Sequence, residues 1–425
     1  MSTLEQIAAQ LNGYDPKALR ADTASQFLSS LVQPVNEAIH VELKLALGRV
    51  LAHNVTSPIS VPAHDNSAMD GFAFAGEQLD LNAPLTLEVV GTALAGQAWA
   101  GTVARGQCVK IMTGAVMPVG LDTVVPQEMA RFANGHIEIA AGTLRKGDNM
   151  RCKGEDLQEG KPALSAGEFV TPAALGLLAS LGIAQVEVLR PLRVAFFSTG
   201  DEVLSLGDAP REGAVYDSNR YTLFGLLTRL GVEAIDMGVV RDDPGALEAA
   251  FLSAAAQADA VITSGGVSVG EADHTKAVMR KLAGGESGVV FWKIAMRPGR
   301  PMAVGRLGQA VLFGLPGNPV AVMVTFLAFV RPALLRMMGG NAVPVPMLKA
   351  RSTEAIRKKP GRTEYQRGIV ISAPDGTLSA SITGQQGSGV LSSMAQANGL
   401  IVLHHDQGDI LPGQDVDVMM FDGVI

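Results

Sequence analysis

Between residues 191 and 340 the sequence alternates β-like runs with helix-like runs, and the β-like runs end in glycines or polar turns. The run PLRVAFFST leads to the turn at Gly200, and the run DAVITS ends at Gly265. Strands separated by helices of this length form βαβ units, whose strands are parallel. The sequence therefore predicts a central, doubly wound α/β domain with a mostly parallel sheet over residues 191–340.

The rest of the chain divides into three further regions with different residue patterns, so we expect a multidomain α/β plus β architecture. Residues 41–150 carry short β-like runs between Gly and Pro, which predicts an inserted β-rich domain. Residues 1–40 and 151–190 look helical, and we expect them to pack together as a split helical domain. Residues 341–425 have short β-like runs and many glycines, which predicts a small C-terminal β domain.

Charge and cysteine content exclude several classes of protein. The formal net charge is −7 and there is no Lys/Arg run, which argues against a nucleic-acid-binding protein. The two cysteines, Cys108 and Cys152, are too few for a disulfide framework or a cysteine-rich metal site. We read them as thiols in a reducing compartment.

The N-terminus has neither a basic start nor an apolar core, so it does not resemble a signal peptide. The most apolar segment begins at Pro319, and its unbroken apolar part spans about 12 residues before Arg331. A membrane-spanning helix needs about 20 such residues. We therefore expect a buried core helix here, no membrane association and a cytoplasmic location.

The glycine loop at residues 263–276 (TSGGVSVGEADHTK) is the strongest local signal. Ligands of doubly wound sheets bind beyond the carboxyl ends of the strands, where this loop lies. Gly265 and Gly266 allow close backbone approach, and the hydroxyls of Ser264 and Ser268 could cradle an oxyanion. The loop is neither a P-loop nor a GxGxxG motif. A tight strand–helix turn remains the alternative.

Three carboxylates, Glu202, Asp242 and Asp273, follow three different predicted strands. Converging carboxylates suit Mg²⁺, which binds a few of them together with water and substrate phosphates. The alternative is that they cap helices or face solvent. Asp243, followed by Pro244, has the pattern of a helix cap, which leaves Asp242 for chemistry.

Two more segments could bind anions. Lys293, Arg297 and Arg300 gather in FWKIAMRPGRP, which is either an anion-binding loop or a solvated basic loop. In the turn at residues 316–319, Asn318 is predicted to cap a helix that starts at Pro319, and the N-terminus of that helix would favour anions.

Polar clusters also occur in and just after the β-rich segment. They are DNSAMDG (65–71), which contains Asp70, Thr113–Gly114 after the run VKIM, and RCKGEDL (151–157), which contains Arg151 and Asp156. Taken alone, these clusters are typical of turns.

Together these segments resemble one family. The motifs DNSAMDGFA (65–73), IMTGAVMP (111–118), RCKGEDL (151–157), FFSTGDEV (196–203), VYDSNRY (215–221), TSGGVSVGEADHTK (263–276), FWKIAMRPGRP (291–301), LPGNPVAV (315–322), GRTEYQRG (361–368) and GSGVLSSMAQANG (387–399) occur in the order seen in MoeA proteins and the gephyrin E domain. The resemblance runs from about residue 40 to 400.

This resemblance implies a function and an assembly. Such proteins have a split helical domain, an inserted β domain, a central α/β domain and a C-terminal β domain. They are homodimers whose cleft lies between the central domain of one subunit and the inserted domain of the other. They insert molybdate into adenylylated molybdopterin in a Mg²⁺-dependent reaction that releases AMP. The resemblance also implies two kinds of partner: a molybdopterin adenylyltransferase, and molybdoenzymes or their chaperones.

The resemblance also implies site residues. The catalytic set would be Asp70, Thr113, Asp156, Glu202, Asp242 and Asp273, with Glu202, Asp242 and Asp273 as metal ligands. The substrate-binding set would be Arg151, Ser264, Gly265, Gly266, Ser268, Lys276, Lys293, Arg297, Arg300, Pro316, Gly317, Pro319, Arg367 and Ser388.

The chain departs from the family pattern at three positions. Arg297 and Arg300 stand where Lys is frequent in the family. The compact ammonium charge is thereby replaced by a planar guanidinium that can donate two parallel hydrogen bonds. His274 stands where Tyr is common. Two other functions stay open from sequence: a scaffold that binds partner peptides, and a relative that is inactive or handles tungstate.

Overall fold

The computed structural model describes residues 3–267, 274–285, 288–341 and 346–421. Its central sheet has six strands. In spatial order they are Glu233–Val240, Arg193–Thr199, Ala260–Ser264, Ala310–Leu315, Pro301–Leu307 and Val289–Lys293.

The prediction of a parallel central sheet is only partly right, because the first four strands pair in parallel whereas the last two pairings are antiparallel, so that Pro301–Leu307 runs against its neighbours. Only Gly308 and Gln309 separate the strands Pro301–Leu307 and Ala310–Leu315. A parallel pair needs a crossover of a dozen or more residues, so this link can only form a hairpin. Gly308 supplies the positive φ of 60° in the turn.

Helices cover both faces of this sheet. Because side chains alternate along a strand, Val194 and Phe196 face one core while Ala195 and Phe197 face the other. The first face is covered by Leu4–Ala9, Ala21–Leu31, Ser218–Leu230 and the helical run Pro319–Met337; the second is covered by Pro244–Gln257 and His274–Leu282.

Two helix starts were predicted from sequence and are confirmed. The carboxylate of Asp243 accepts a hydrogen bond from the Ala246 N–H at 2.9 Å, and Pro244 holds the first helical position. Asn318 does occupy the cap position before Pro319, but the predicted capping bond is wrong because its side chain makes none.

The helical run Pro319–Met337 comprises the helices Pro319–Thr325 and Arg331–Met337, joined by a wider turn at Phe326–Val330. By length and composition it could cross a membrane, yet 67% of its apolar stretch is buried inside the fold. The prediction of a buried core helix is confirmed.

The inserted segment forms a second six-stranded sheet, with short 3-10 turns at Leu43–Ala46, Gly76–Gln78 and Gln127–Met129 beside it or before it. Its spatial order is Thr123–Pro126, Gly71–Phe74, Gln107–Ile111, Leu85–Ala93, His136–Ile139 and Ala130–Ala133.

The C-terminal sheet closes into a barrel, because the strand Thr363–Ser372 pairs with Leu378–Ile382 on one side and with Gly399–Leu403, the last strand of the sheet, on the other. In spatial order its strands are Met296–Arg297, Thr363–Ser372, Leu378–Ile382, Leu348–Ser352, Asp415–Met420 and Gly399–Leu403. The short helix Leu391–Gln396 directly precedes the strand Gly399–Leu403.

Antiparallel pairs tie the flanks of the inserted segment together. The strand Ala38–Glu42 pairs with Gln185–Leu189, and Val55–Thr56 pairs with Pro162–Leu164, beside the helix Pro172–Ser180. The two N-terminal helices instead pack on the central core, where Phe27 lies 5.1 Å from the Trp292 ring. The remaining short pairs are Asn66–Ser67 with Met150–Arg151 and Val203–Leu204 with Val215–Tyr216.

Candidate active site

A cleft of about 740 Å³ lies at the carboxyl ends of the parallel strands. The chain turns away from the sheet there after Thr199, Val240, Ser264 and Leu315. Seven of the residues predicted from sequence line this one cleft: Glu202, Asp242, Ser264, Gly265, Gly266, Gly317 and Pro319. The parallel register brings together segments that lie more than a hundred residues apart in the chain.

Two glycines let the backbone approach its neighbours at the floor of the cleft. Gly265 has φ +93°, and a Cβ there would lie 2.6 Å from the Thr199 carbonyl oxygen. Gly266 has φ +64°, and a Cβ there would lie 2.3 Å from the Thr275 hydroxyl. Both positions therefore require glycine for conformation and for space.

The charge of the cleft is negative. Its charged side chains among the described residues are Glu202, Asp217 and Asp242, and no Lys, Arg or His in that part of the chain lines it. The backbone N–H of Asp242 donates to the Asp201 carboxylate at 3.3 Å, which links two of the strand-end loops. Arg220 offsets the charge of Asp217 from behind the lining, so Glu202 and Asp242 are the carboxylates that an anionic ligand would meet, and a cation would reduce their repulsion.

The sequence analysis missed a buried polar network under the cleft. The Ser198 hydroxyl donates to Asp217 Oδ1 at 2.9 Å and lies 2.9 Å from the Ser264 hydroxyl. Asp217 is 4% exposed and also pairs with the Arg220 guanidinium at 3.2 Å. Asp217 stands in the motif VYDSNRY, but an Asp before a helix is expected to be a simple cap, so its contact with Ser198 gave no sequence signal.

The turn at Gly317 is held from two sides. The Asn219 side-chain amide donates to the Gly317 carbonyl at 2.7 Å, and the Val320 N–H donates to the Ser388 carbonyl at 3.2 Å. The second bond brings the barrel loop that contains Ser388 to the start of the Pro319 helix. Pro316 is buried behind this turn.

The other described acids predicted for the site, Asp70 and Asp156, lie in and just after the inserted segment. Asp70 Oδ1 accepts both the backbone N–H and the hydroxyl of Thr113, each at 2.6 Å. Arg151 lies opposite Asn66 in a short antiparallel strand pair. Asp156 is exposed, and its backbone N–H donates to the Val61 carbonyl. None of Asp70, Thr113, Arg151 or Asp156 lines the strand-end cleft.

The predicted cations lie outside the cleft lining. Lys293, Arg297 and Arg300 are exposed on the segment that leads from the central sheet to the barrel. Arg297 stands beside Glu364 in the parallel pairing with the barrel strand. Lys276 lies 6.0 Å from the Phe291 ring centroid.

Arg367, which was predicted to contact an anion, is buried and bonded to groups of the protein. It is 1% exposed, and its guanidinium donates to the Ser393 hydroxyl and to the carbonyls of Gln385, Gln386 and Gly387. Burial, and then the charge of Arg297, lower the pKa of Arg367. Arg367 therefore holds the loop next to Ser388 in place, whatever else it contacts.

Two predicted residues, Ser268 and Asp273, lie outside the described residues. Among those that are described, no three His, Cys, Asp or Glu side chains are grouped closely enough to hold a metal ion. The predicted metal set of Glu202, Asp242 and Asp273 thus stays a prediction, with its first two members in one cleft.

Three family models match successive parts of the chain. They are the MoeA N-terminal region (domains I and II) at residues 19–182, the "Probable molybdopterin binding domain" at residues 195–336, and the MoeA C-terminal region (domain IV) at residues 349–421.

Individual relatives match nearly end to end. The molybdopterin molybdenumtransferase of Haemophilus influenzae is 40% identical, over 94% of this chain and 98% of that protein. The one from a Nostoc species is 38% identical, over 96% and 95%. The solved structure of the molybdopterin biosynthesis MoeA protein from Pyrococcus horikoshii OT3 matches with a TM-score of 0.80 at 26% identity, covering 95% of this chain and 100% of that one.

The fold and the matches define a multidomain transferase of molybdenum cofactor biosynthesis. More specifically, the chain belongs to the MoeA family of molybdopterin molybdenumtransferases. The resemblance inferred from the motifs is confirmed.

The contact between Asp70 and Thr113 predicts a titration. The Thr113 hydroxyl, followed by its backbone N–H, lowers the pKa of Asp70 from its ordinary value of 3.8. Stabilisation from the ionised Asp70 is thus present above that ordinary value and is lost as the pH falls through the folded-state pKa. We expect Thr113→Val to raise the pKa of Asp70, measured by NMR titration of ¹³C-labelled carboxyl groups.

The matched control is Thr102→Val, at an exposed position of the same segment. It should leave the Asp70 titration unchanged. If Asp70 titrates identically in Thr113→Val and in the unaltered protein, the Thr113 hydroxyl does not affect the pKa of Asp70.

Proposed function

We propose that the protein inserts molybdate into adenylylated molybdopterin in a Mg²⁺-dependent reaction that releases AMP. The observation that carries this proposal is the strand-end cleft, which combines carboxylates, close-packed glycines and the turn before a helix in one cavity. All the reactants are anions, and an acidic cleft accepts them only together with a cation. The family membership supplies molybdopterin as the substrate class.

The residues present fit Mg²⁺. Glu202 and Asp242 line the same cleft from two strand ends. Mg²⁺ prefers one or two carboxylates and completes its octahedron with water and substrate phosphates. When bound, the ion would supply charge neutralisation at the phosphates of the adenylate.

The chain's own groups would orient the substrate around that charge. Gly265 and Gly266 let the backbone pack directly against Thr199 and Thr275, which would fix the shape of the floor on which the substrate lies. The turn at Gly317 presents the start of the Pro319 helix, whose positive end favours an anion. The loop anchored by Arg367 would form the opposite wall through Gly389.

We also propose that the working unit is a homodimer. Within one chain, the cluster around Asp70 and Thr113 belongs to the inserted sheet, and none of its members lines the cleft that contains Glu202. A second copy that brings its inserted sheet to this cleft would unite the two sets. The reaction also needs a supplier of the adenylate, a molybdopterin adenylyltransferase, and an acceptor of the product, a molybdoenzyme or its chaperone.

The experiment that tests the function measures AMP release from adenylylated molybdopterin by the purified protein, with and without molybdate and Mg²⁺. We expect release only when both are present, because the metal must offset the acidic cleft and the oxyanion must take part. AMP release that is indifferent to both ions would contradict the proposal, and so would an absence of release from folded protein. In the latter case an inactive, tungstate-specific or scaffolding relative would be the better interpretation.

Replacing one cleft carboxylate tests its role directly. We expect Glu202→Gln to lower the turnover number strongly, on the order of 100-fold or more, while thermal unfolding changes little, because Glu202 lies at the cleft and not in a core. The matched control is Glu212→Gln, the same substitution at an exposed site nearby. Near-normal turnover in Glu202→Gln would remove Glu202 from the chemistry.

The dimer can be tested by mass and by complementation. Sedimentation at micromolar concentration should give about twice the chain mass of 44.3 kDa. Mixed dimers of Glu202→Gln and Asp70→Asn should recover activity, because one of their two shared clefts would be intact. A mass near that of one chain, or no recovery in verified mixed dimers, would rule out the shared cleft.

A further inference from the structure

A relay of hydroxyls connects the floor of the cleft to a buried charge. The Ser264 hydroxyl lies 2.9 Å from the Ser198 hydroxyl, which lies 2.9 Å from Asp217 Oδ1. All three residues are buried, with exposed fractions of 2%, 2% and 4%. Ser264 and Ser198 also line the cleft, so the relay begins where a ligand binds.

The direction of each hydrogen bond in this relay follows from counting protons. Asp217 is surrounded by donors: the Ser198 hydroxyl and the Arg220 N–H reach Oδ1, and the Arg220 guanidinium reaches Oδ2. A carboxylate in such a setting accepts only, so Ser198 gives its single proton to Asp217. The Ser198 oxygen must then accept a hydrogen bond from the Ser264 hydroxyl. The Ser264 proton therefore points toward Ser198, away from the cleft.

We propose that Asp217 is a positioning residue that turns the Ser264 hydroxyl so that an oxygen lone pair faces the cleft, where it accepts a hydrogen bond from an N–H group of the pterin ring. The inference rests on the proposed function, since that function supplies a pterin substrate. It replaces the oxyanion-cradling role that the sequence predicted for the hydroxyl of Ser264.

The neighbouring groups favour a ring N–H over a phosphate. The Gly265 N–H, which could also have cradled an oxyanion, donates to the Leu315 carbonyl at 3.1 Å. The Asn219 amide nitrogen donates to the Gly317 carbonyl. The Gly265 N–H and one of the two Asn219 amide hydrogens are thus used within the protein, whereas the Ser264 oxygen keeps a lone pair for a ligand. A pterin ring carries neutral N–H donors, whereas an ionised phosphate group presents chiefly acceptor oxygens.

The same corner is less suited to a metal ion. A neutral hydroxyl is a weaker ligand for Mg²⁺ than a carboxylate. Glu202 and Asp242 offer carboxylates elsewhere in the cleft. The chemistry that remains for the Ser264 oxygen is a neutral hydrogen bond to the substrate.

The test uses unsubstituted pterin, which is fluorescent and has ring N–H groups but no phosphate, and inorganic phosphate as a separate probe. Both are titrated into the full-length protein, as are Mg²⁺ ions. We expect Ser264→Ala to weaken pterin binding by about three- to tenfold, the value of one neutral hydrogen bond, with phosphate and Mg²⁺ affinities unchanged.

A second variant separates positioning from contact. Ser198→Ala leaves Asp217 and Arg220 in place but frees the Ser264 proton to turn toward the cleft. Pterin affinity should then fall, while phosphate affinity stays equal or rises. If Ser198→Ala binds pterin as the unaltered protein does, Asp217 does not position Ser264, whatever Ser264→Ala shows.

The matched control is Thr263→Val, because Thr263 precedes Ser264 on the same strand and its buried hydroxyl has no partner among the described residues. This variant should leave all three affinities unchanged. Weaker phosphate or Mg²⁺ binding by Ser264→Ala, or no pterin binding by the unaltered protein, would overturn the inference. AMP release by the unaltered protein, measured in parallel, distinguishes that outcome from failure of the proposed function.

Discussion

The parallel pairing of four neighbouring strands in the central sheet is the constraint on which the cleft depends. Parallel strands end at the same edge, so the loops after Thr199, Val240, Ser264 and Leu315 meet there although the chain between them is long. Helices on both faces bury these strands and leave the carboxyl edge as the open place for a ligand. The hairpin at Gly308 ends the parallel pattern and confines the cleft to the four parallel strands.

Charge and hydrogen bonding then decide what the cleft accepts. In the proposed reaction, the carboxylates of Glu202 and Asp242, which line the cleft, would favour a cation between the protein and an anionic substrate. Below them, Asp217 is buried with Arg220 and organises Ser198 and Ser264. Each part has a separate task in the proposed reaction: the acids set the charge, and the buried network sets the direction of a hydrogen bond.

The remaining predicted residues lie in other parts of the chain. Asp70 and Thr113 form a hydrogen-bonded pair on the inserted sheet, away from the cleft lining. Arg367 was predicted to contact an anion, yet its guanidinium is taken up by loop carbonyls and a serine. A shared cleft in a dimer would join the first pair to the acids, whereas Arg367 holds the loop next to Ser388 in place.

The sequence by itself determined the alternation of strands and helices, the cap at Asp243 and the order of motifs that identifies the family, because local periodicity and turn chemistry act within a few residues. It also located Glu202 and Asp242, since acids after strands stand out. Only the tertiary structure decided the antiparallel edge of the sheet and the contact between Asp217 and Ser198. Those features depend on register and on packing between distant segments, which a one-dimensional pattern does not encode.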